Sequence, residues 1–64
     1  MTKNKILEYI KNKGFTRKEA LKIFDYYCVN GIFTYNNHDG YRIKHGVFFD
    51  RDILEKALEL KEVE

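Results

Sequence analysis

Gly14-Phe15-Thr16-Arg17-Lys18-Glu19-Ala20 is the stretch on which the architecture turns. Glycine ends a helix readily because it tolerates the left-handed backbone of a C-terminal cap. Two residues further on, Thr16 and Glu19 stand at capping-box spacing. The threonine hydroxyl can accept from the Glu19 amide while the glutamate carboxylate accepts from the Thr16 amide. One helix therefore stops and another starts within about three residues. So short a turn, with glycine in it, makes the two helices cross steeply in the manner of a helix-turn-helix.

Upstream, Ile6, Leu7 and Ile10 recur at helical spacing opposite Asn4, Lys5, Glu8, Lys11 and Asn12, which predicts a first amphipathic helix over residues 3–13. Downstream, the second helix runs from Arg17 to Asn30 and is closed by Gly31. At 100° per residue, Ala20, Leu21, Phe24, Tyr27 and Cys28 fall in one arc and are expected to face the core. Lys18, Lys22, Asp25, Tyr26 and Val29 fall on the far side, where a tyrosine and a valine among charges mark a contact surface or a scatter of exposed apolar atoms.

Ile32 to His45 reads as a β-hairpin, with Ile, Phe, Thr and Tyr clustered around Asn36-Asn37-His38-Asp39-Gly40. A two-residue Asp39-Gly40 loop would pair Tyr35 with Lys44 and mix the faces. A three-residue loop, His38-Asp39-Gly40, pairs Tyr35 with Ile43 and Phe33 with His45. It gathers Phe33, Tyr35, Tyr41 and Ile43 on one face and Thr34, Asn36, Arg42 and Lys44 on the other, and it is the preferred register. Gly40 then takes the left-handed position of a G1 bulge. Val47-Phe48-Phe49 returns the chain to the core, Asp50 is the expected N-cap of a third helix, and Phe49 with Leu54 has the spacing of a hydrophobic staple. Ile53, Leu54, Ala57, Leu58 and Leu60 make that helix amphipathic. Leu58, at the edge of its apolar arc, offers a homodimer contact.

The chain has 64 residues, 44% of them hydrophobic and 16% aromatic, which suffices for one domain over residues 1–64 with a single compact core. A chain this short buries only about 60% of its unfolded surface, which leaves little room for a multi-residue catalytic pocket. No Ser/His/Asp grouping, carboxylate pair or phosphate-cradling glycine loop is legible, and an enzyme is not expected. His38, His45, Asp39 and Cys28 lack metal-ligand spacing, so neither metal nor cofactor is expected. His38 reads as a solvated turn residue, and Cys28 as a small core hydrophobe. One cysteine allows no internal disulfide and fits a cytoplasmic location. No apolar run approaches the ~20 residues of a membrane span, and the N-terminal residues lead into an amphipathic stretch rather than a signal sequence.

Charge is unevenly placed. Residues 1–24 carry seven Lys and Arg against Glu8 and Glu19, residues 25–49 are balanced, and residues 50–64 carry six carboxylates against Arg51, Lys56 and Lys61. A basic front suits a polyanion, and an acidic tail suits a protein or water.

The order helix, short turn, helix, hairpin, helix resembles a small winged helix-turn-helix domain, so the expected fold class is α+β in the order α-α-β-β-α. Closer resemblance lies in Tyr26-Tyr27 followed by Gly31-Ile32-Phe33, in Gly40-Tyr41-Arg42-Ile43, and in Asp52-Ile53-Leu54. These are similar to the MerR-type DNA-binding domain, whose second helix ends in Tyr-Tyr-x-x-x-Gly and whose wing returns through Gly-Tyr-Arg. Excisionase-like winged helices, often phage-encoded, share the order. Here the stretch from Thr16 to Gly31 is about one turn longer than in the MerR type.

The resemblance implies a sequence-specific DNA-binding regulator or DNA-architectural protein acting on double-stranded DNA. Arg17, Lys18, Lys22 and Tyr26 would face the major groove, since the amino-terminal half of a recognition helix meets the bases. Tyr41 and Arg42 would touch the backbone from the wing, with Lys44 beside them on the polar strand face. Each lysine serves equally well as plain solvated surface. The alternative class is a small protein-binding inhibitor or adaptor, meeting its partner through Tyr26, Val29, Leu58 and the acidic tail.

Overall fold

A computed structural model describes residues 1–44 and 50–62. The elements are α1 (Lys3–Lys11), α2 (Arg17–Val29), β1 (Phe33–Asn36), β2 (Gly40–Ile43) and α3 (Arg51–Glu62). This is a small α+β fold with three helices and one antiparallel hairpin, in the expected order. His45, Val47-Phe48-Phe49 and the Phe49 half of the expected staple lie outside the described residues.

Local chemistry fixes the helix ends. The Thr2 hydroxyl caps α1 by accepting from the Lys5 amide at 3.2 Å, a cap not read from the sequence. The Thr16/Glu19 capping box opens α2 with both bonds formed: Glu19 N–H to the Thr16 hydroxyl at 3.2 Å, and Thr16 N–H to the Glu19 carboxylate at 2.9 Å. Between the two helices Gly14 sits at φ 105°, a conformation costly for any residue with a β-carbon. α2 closes in a Schellman motif, with the amides of Gly31 and Ile32 donating to the carbonyls of Cys28 and Tyr27. The Leu54 amide donates to the Asp50 carbonyl at 3.0 Å, the bond an N-cap residue makes.

The core gathers Ile6, Leu7 and Ile10 from α1, Phe15 from the turn, Ala20, Ile23, Phe24 and Tyr27 from α2, Phe33 from β1, and Leu54 and Ala57 from α3. The buried arc of α2 differs from the expected one. Ile23 is fully buried, Leu21 is exposed and Cys28 is half-buried. The arc is rotated by about 50° from the expected one because α2 is packed on two sides. Both α1 and α3 pack on α2, and Ile23 belongs to the core they share. The side of Lys22, Asp25 and Tyr26, expected to face solvent, also meets α3, with Asp25 still exposed and Lys22 and Tyr26 half-buried. Lys22 pairs with Glu62 at 3.5 Å, Asp25 pairs with Lys61 at 2.8 Å, and Tyr26 is half-buried against the core.

The hairpin register is Phe33↔Ile43, Thr34↔Arg42, Tyr35↔Tyr41 and Asn36↔Gly40, continued by a Lys44 amide bond to the Ile32 carbonyl at 2.8 Å. The loop does hold three residues, but they are Asn37, His38 and Asp39. The pairing of Tyr35 with Ile43 and of Phe33 with His45 is thereby corrected by two residues. An even slip keeps every side chain on its expected face. The turn is set by the Asn36 side chain, which accepts from the His38 amide at 2.8 Å. The outer edge of β2 is also engaged. Tyr41 N–H donates to the Met1 carbonyl at 2.7 Å, and the Met1 nitrogen donates to the Tyr41 carbonyl at 2.9 Å. Gly40, at φ 77°, lies where an added β-carbon would stand 2.6 Å from the Met1 carbonyl oxygen.

Candidate nucleic-acid interface

Arg17 and Lys18 occupy the first turn of α2, directly after the capping box. Both are exposed, and among the described residues neither makes an ion pair. The capping box positions them, since it fixes where the helix begins and hence which residues fill its first turn. Lys22 and Tyr26, one and two turns on, are in a different situation. Lys22 is half-buried and held by Glu62, and Tyr26 lies edge-on to Tyr27, their ring centroids 5.8 Å apart, on the side that α3 covers.

On the hairpin, alternation sends Arg42 and Lys44 to the outward face, where both are exposed. Arg42 bonds the Asp39 carboxylate at 2.6 Å, so its charge is part-neutralised by the turn, while Lys44 makes no ion pair among the described residues. Tyr41 faces the other way. It is half-buried, its ring 5.1 Å from Phe24 and 5.1 Å from Tyr35, both at 78°. The hairpin is anchored to α2 through Phe33, whose ring lies 5.5 Å from Phe24 and 5.3 Å from Tyr27. These anchors stand seven to ten residues beyond Arg17, which separates the helix's first turn from the hairpin's seat by about 10–15 Å along the axis.

Three side chains to which the sequence assigns no site role matter here. Arg51 donates to the Lys13 carbonyl at 2.9 Å and to Glu55 at 2.9 Å, and its guanidinium lies 5.5 Å from the Phe15 ring centroid. It is a structural cation, tying the start of α3 to the turn before α2. Lys3 stands 5.3 Å from the Phe24 ring centroid, beside the hairpin. Tyr35 is 64% exposed. The alternation of the strand places Tyr35 on the same face as Phe33, and only the packing of the core shows that it is left outside.

Cys28 is half-buried. Burial, then the Asp25 carboxylate, push its thiol above the usual range, and Lys3 opposes them weakly. Burial likewise raises the Tyr27 hydroxyl, with Tyr26 adding to it. No three His, Cys, Asp or Glu side chains among the described residues are grouped to hold a metal. No helix of the described residues is long and apolar enough to cross a membrane. In comparisons with known proteins, no family model, no curated protein and no solved structure matches this chain.

Proposed function

We propose that this chain is a DNA-binding regulator or DNA-architectural protein of winged helix-turn-helix design, with the first turn of α2 directed to the major groove and the hairpin as its wing. The observation that carries the reading is the pair Arg17 and Lys18. Two exposed cations, free of ion pairs among the described residues, stand on the first turn of the helix that follows a tight glycine turn. There, guanidinium and ammonium groups can reach base edges or phosphates. The 10–15 Å or so between that turn and the hairpin's seat is comparable to a major groove of about 12 Å, so the wing's Lys44 would fall on the flanking backbone. Lys22 and Tyr26, already engaged by α3, have a lesser part, and Arg42 contributes once Asp39 gives it up.

A labelled mixed-sequence duplex titrated at several salt concentrations tests this. Affinity is expected to fall steeply with salt, and Arg17→Ala with Lys18→Ala is expected to reduce the log–log slope by about 2, one unit per lost phosphate contact. Lys22→Ala should change the slope by much less. Salt-independent binding, or an unchanged slope in the double variant, would exclude the assignment.

The second reading, a small protein-binding inhibitor or adaptor or a homodimer through α3, draws on a different surface. Val29 is 73% exposed, and Ile53 and Leu60 emerge beside Tyr26 and Ile32 in a cleft between α2 and α3. Leu58, at the edge of the apolar arc, packs on the core and stays partly exposed, as expected. Absence of duplex binding at low salt would favour this class.

A further inference from the structure

Tyr35 is the large hairpin side chain that the core does not absorb. Two residues earlier on the same face Phe33 is buried, whereas Tyr35 is 64% exposed. Its ring is nevertheless held. It meets Tyr41 edge-on at 5.1 Å and 78°, and Tyr41 meets Phe24 with the same separation and angle. This ladder of three rings runs from the core to solvent and presents an aromatic surface already fixed in place. Its second rung is pinned along the backbone as well, by the paired Met1 and Tyr41.

Cations stand on both faces of the hairpin. Lys3 lies over Phe24 at the inner end of the ladder, and Arg42 and Lys44 are exposed on the opposite face of the same strands. The carboxylate among the described hairpin residues, Asp39, is spent on Arg42. A fixed exposed ring on a two-stranded hairpin, with cations at its inner end and on its opposite face, offers the two things a nucleic-acid strand needs, a face for the base and positive charge within a backbone's reach for the phosphate.

We propose that Tyr35 is a stacking platform for an unpaired nucleobase, so that the protein prefers nucleic acid carrying an exposed base (an overhang, a bulge or a single strand) over fully paired duplex. The proposal rests on the nucleic-acid reading above. In paired duplex the base faces are covered by their neighbours, and a protein ring gains little without unstacking a step. An unpaired base offers its face freely and whatever its sequence.

The test uses the full chain and two labelled probes, a blunt duplex and the same duplex with a thymidine overhang, each titrated at low and moderate salt. The parent chain is expected to bind the overhang probe about fivefold or more tighter. Tyr35→Phe keeps the ring and should keep the preference. Tyr35→Leu and Tyr35→Ala should abolish it while leaving duplex affinity and its salt dependence in place. Melting curves by circular dichroism establish that each variant is folded, and the leucine variant carries the comparison if the alanine variant is not. Salt-dependent binding with equal affinity for both probes, or a preference surviving in Tyr35→Leu, overturns the role of Tyr35 and leaves the duplex reading standing. Absence of salt-dependent binding to either probe overturns both.

Discussion

Thr16 shows how much one side chain settles. Its hydroxyl and the Glu19 carboxylate each satisfy an amide that the start of a helix leaves without a partner, and together they set the first residue of α2. Arg17 and Lys18 owe their placement to that choice. Thr16→Ala should cost about 1 kcal/mol, which in a domain of this size lowers the melting temperature by roughly 4–8 °C. A thermal melt followed by circular dichroism measures it, and an unshifted midpoint would mean that the box contributes nothing. Gly40 decides the other turn. Its positive φ and the nearby Met1 carbonyl both exclude a β-carbon, and no reading of the hairpin alone could have found the second of these constraints.

Among elements, the contact of α3 with α2 governs what the protein can present. The ion pairs Lys22–Glu62 and Asp25–Lys61 are partly exposed and each contribute little to stability. Their effect is on availability, since they occupy the middle of the face that sequence alone assigns to a partner. At its other end α3 holds the turn between α1 and α2 through Arg51, which bonds the Lys13 carbonyl, covers Phe15 and crowds the α-carbon of Gly14. Arg51→Ala should destabilise the fold by about 1 kcal/mol, the exposure of the side chain keeping the figure modest. Urea unfolding reads the change, and amide exchange at Phe15 and Thr16 should quicken with it. Exchange unaltered at both amides would show that Arg51 does not brace the turn.

At the scale of the molecule, three helices and a hairpin enclose eleven buried residues among those described, all hydrophobic. Cys28 reports on that closure. Packing removes part of its water and sets it near Asp25, both of which disfavour the thiolate, so its thiol remains protonated to higher pH in the folded chain than in the unfolded one. At mildly alkaline pH a thiol reagent should therefore react more slowly with folded protein than with protein in urea, and the ratio of the two rates should shrink as pH rises. Equal rates in both states at every pH would contradict the assigned environment.

Three helices, their glycine stops, the capping box and the two faces of the hairpin were legible along the chain, because each depends on residues within a few positions of one another. Periodicity found Ile6, Leu7, Ile10, Phe24, Tyr27 and Leu54 as core for the same reason. It missed Phe15 and Ile23 and misplaced Leu21, since which flank of α2 is buried depends on where α3 docks. Spacing likewise placed Lys18, Arg42 and Lys44 on outward faces, and the resemblance to a winged helix-turn-helix added Arg17. Only the tertiary structure decided that Lys22 and Tyr26 turn toward α3, that Arg42 is tethered to Asp39, that Met1 occupies the edge of β2, and that Tyr35 is left outside. Each of these pairs groups from elements that approach one another in space, or rests on a strand register that a two-residue slip changes without disturbing the alternation of its side chains.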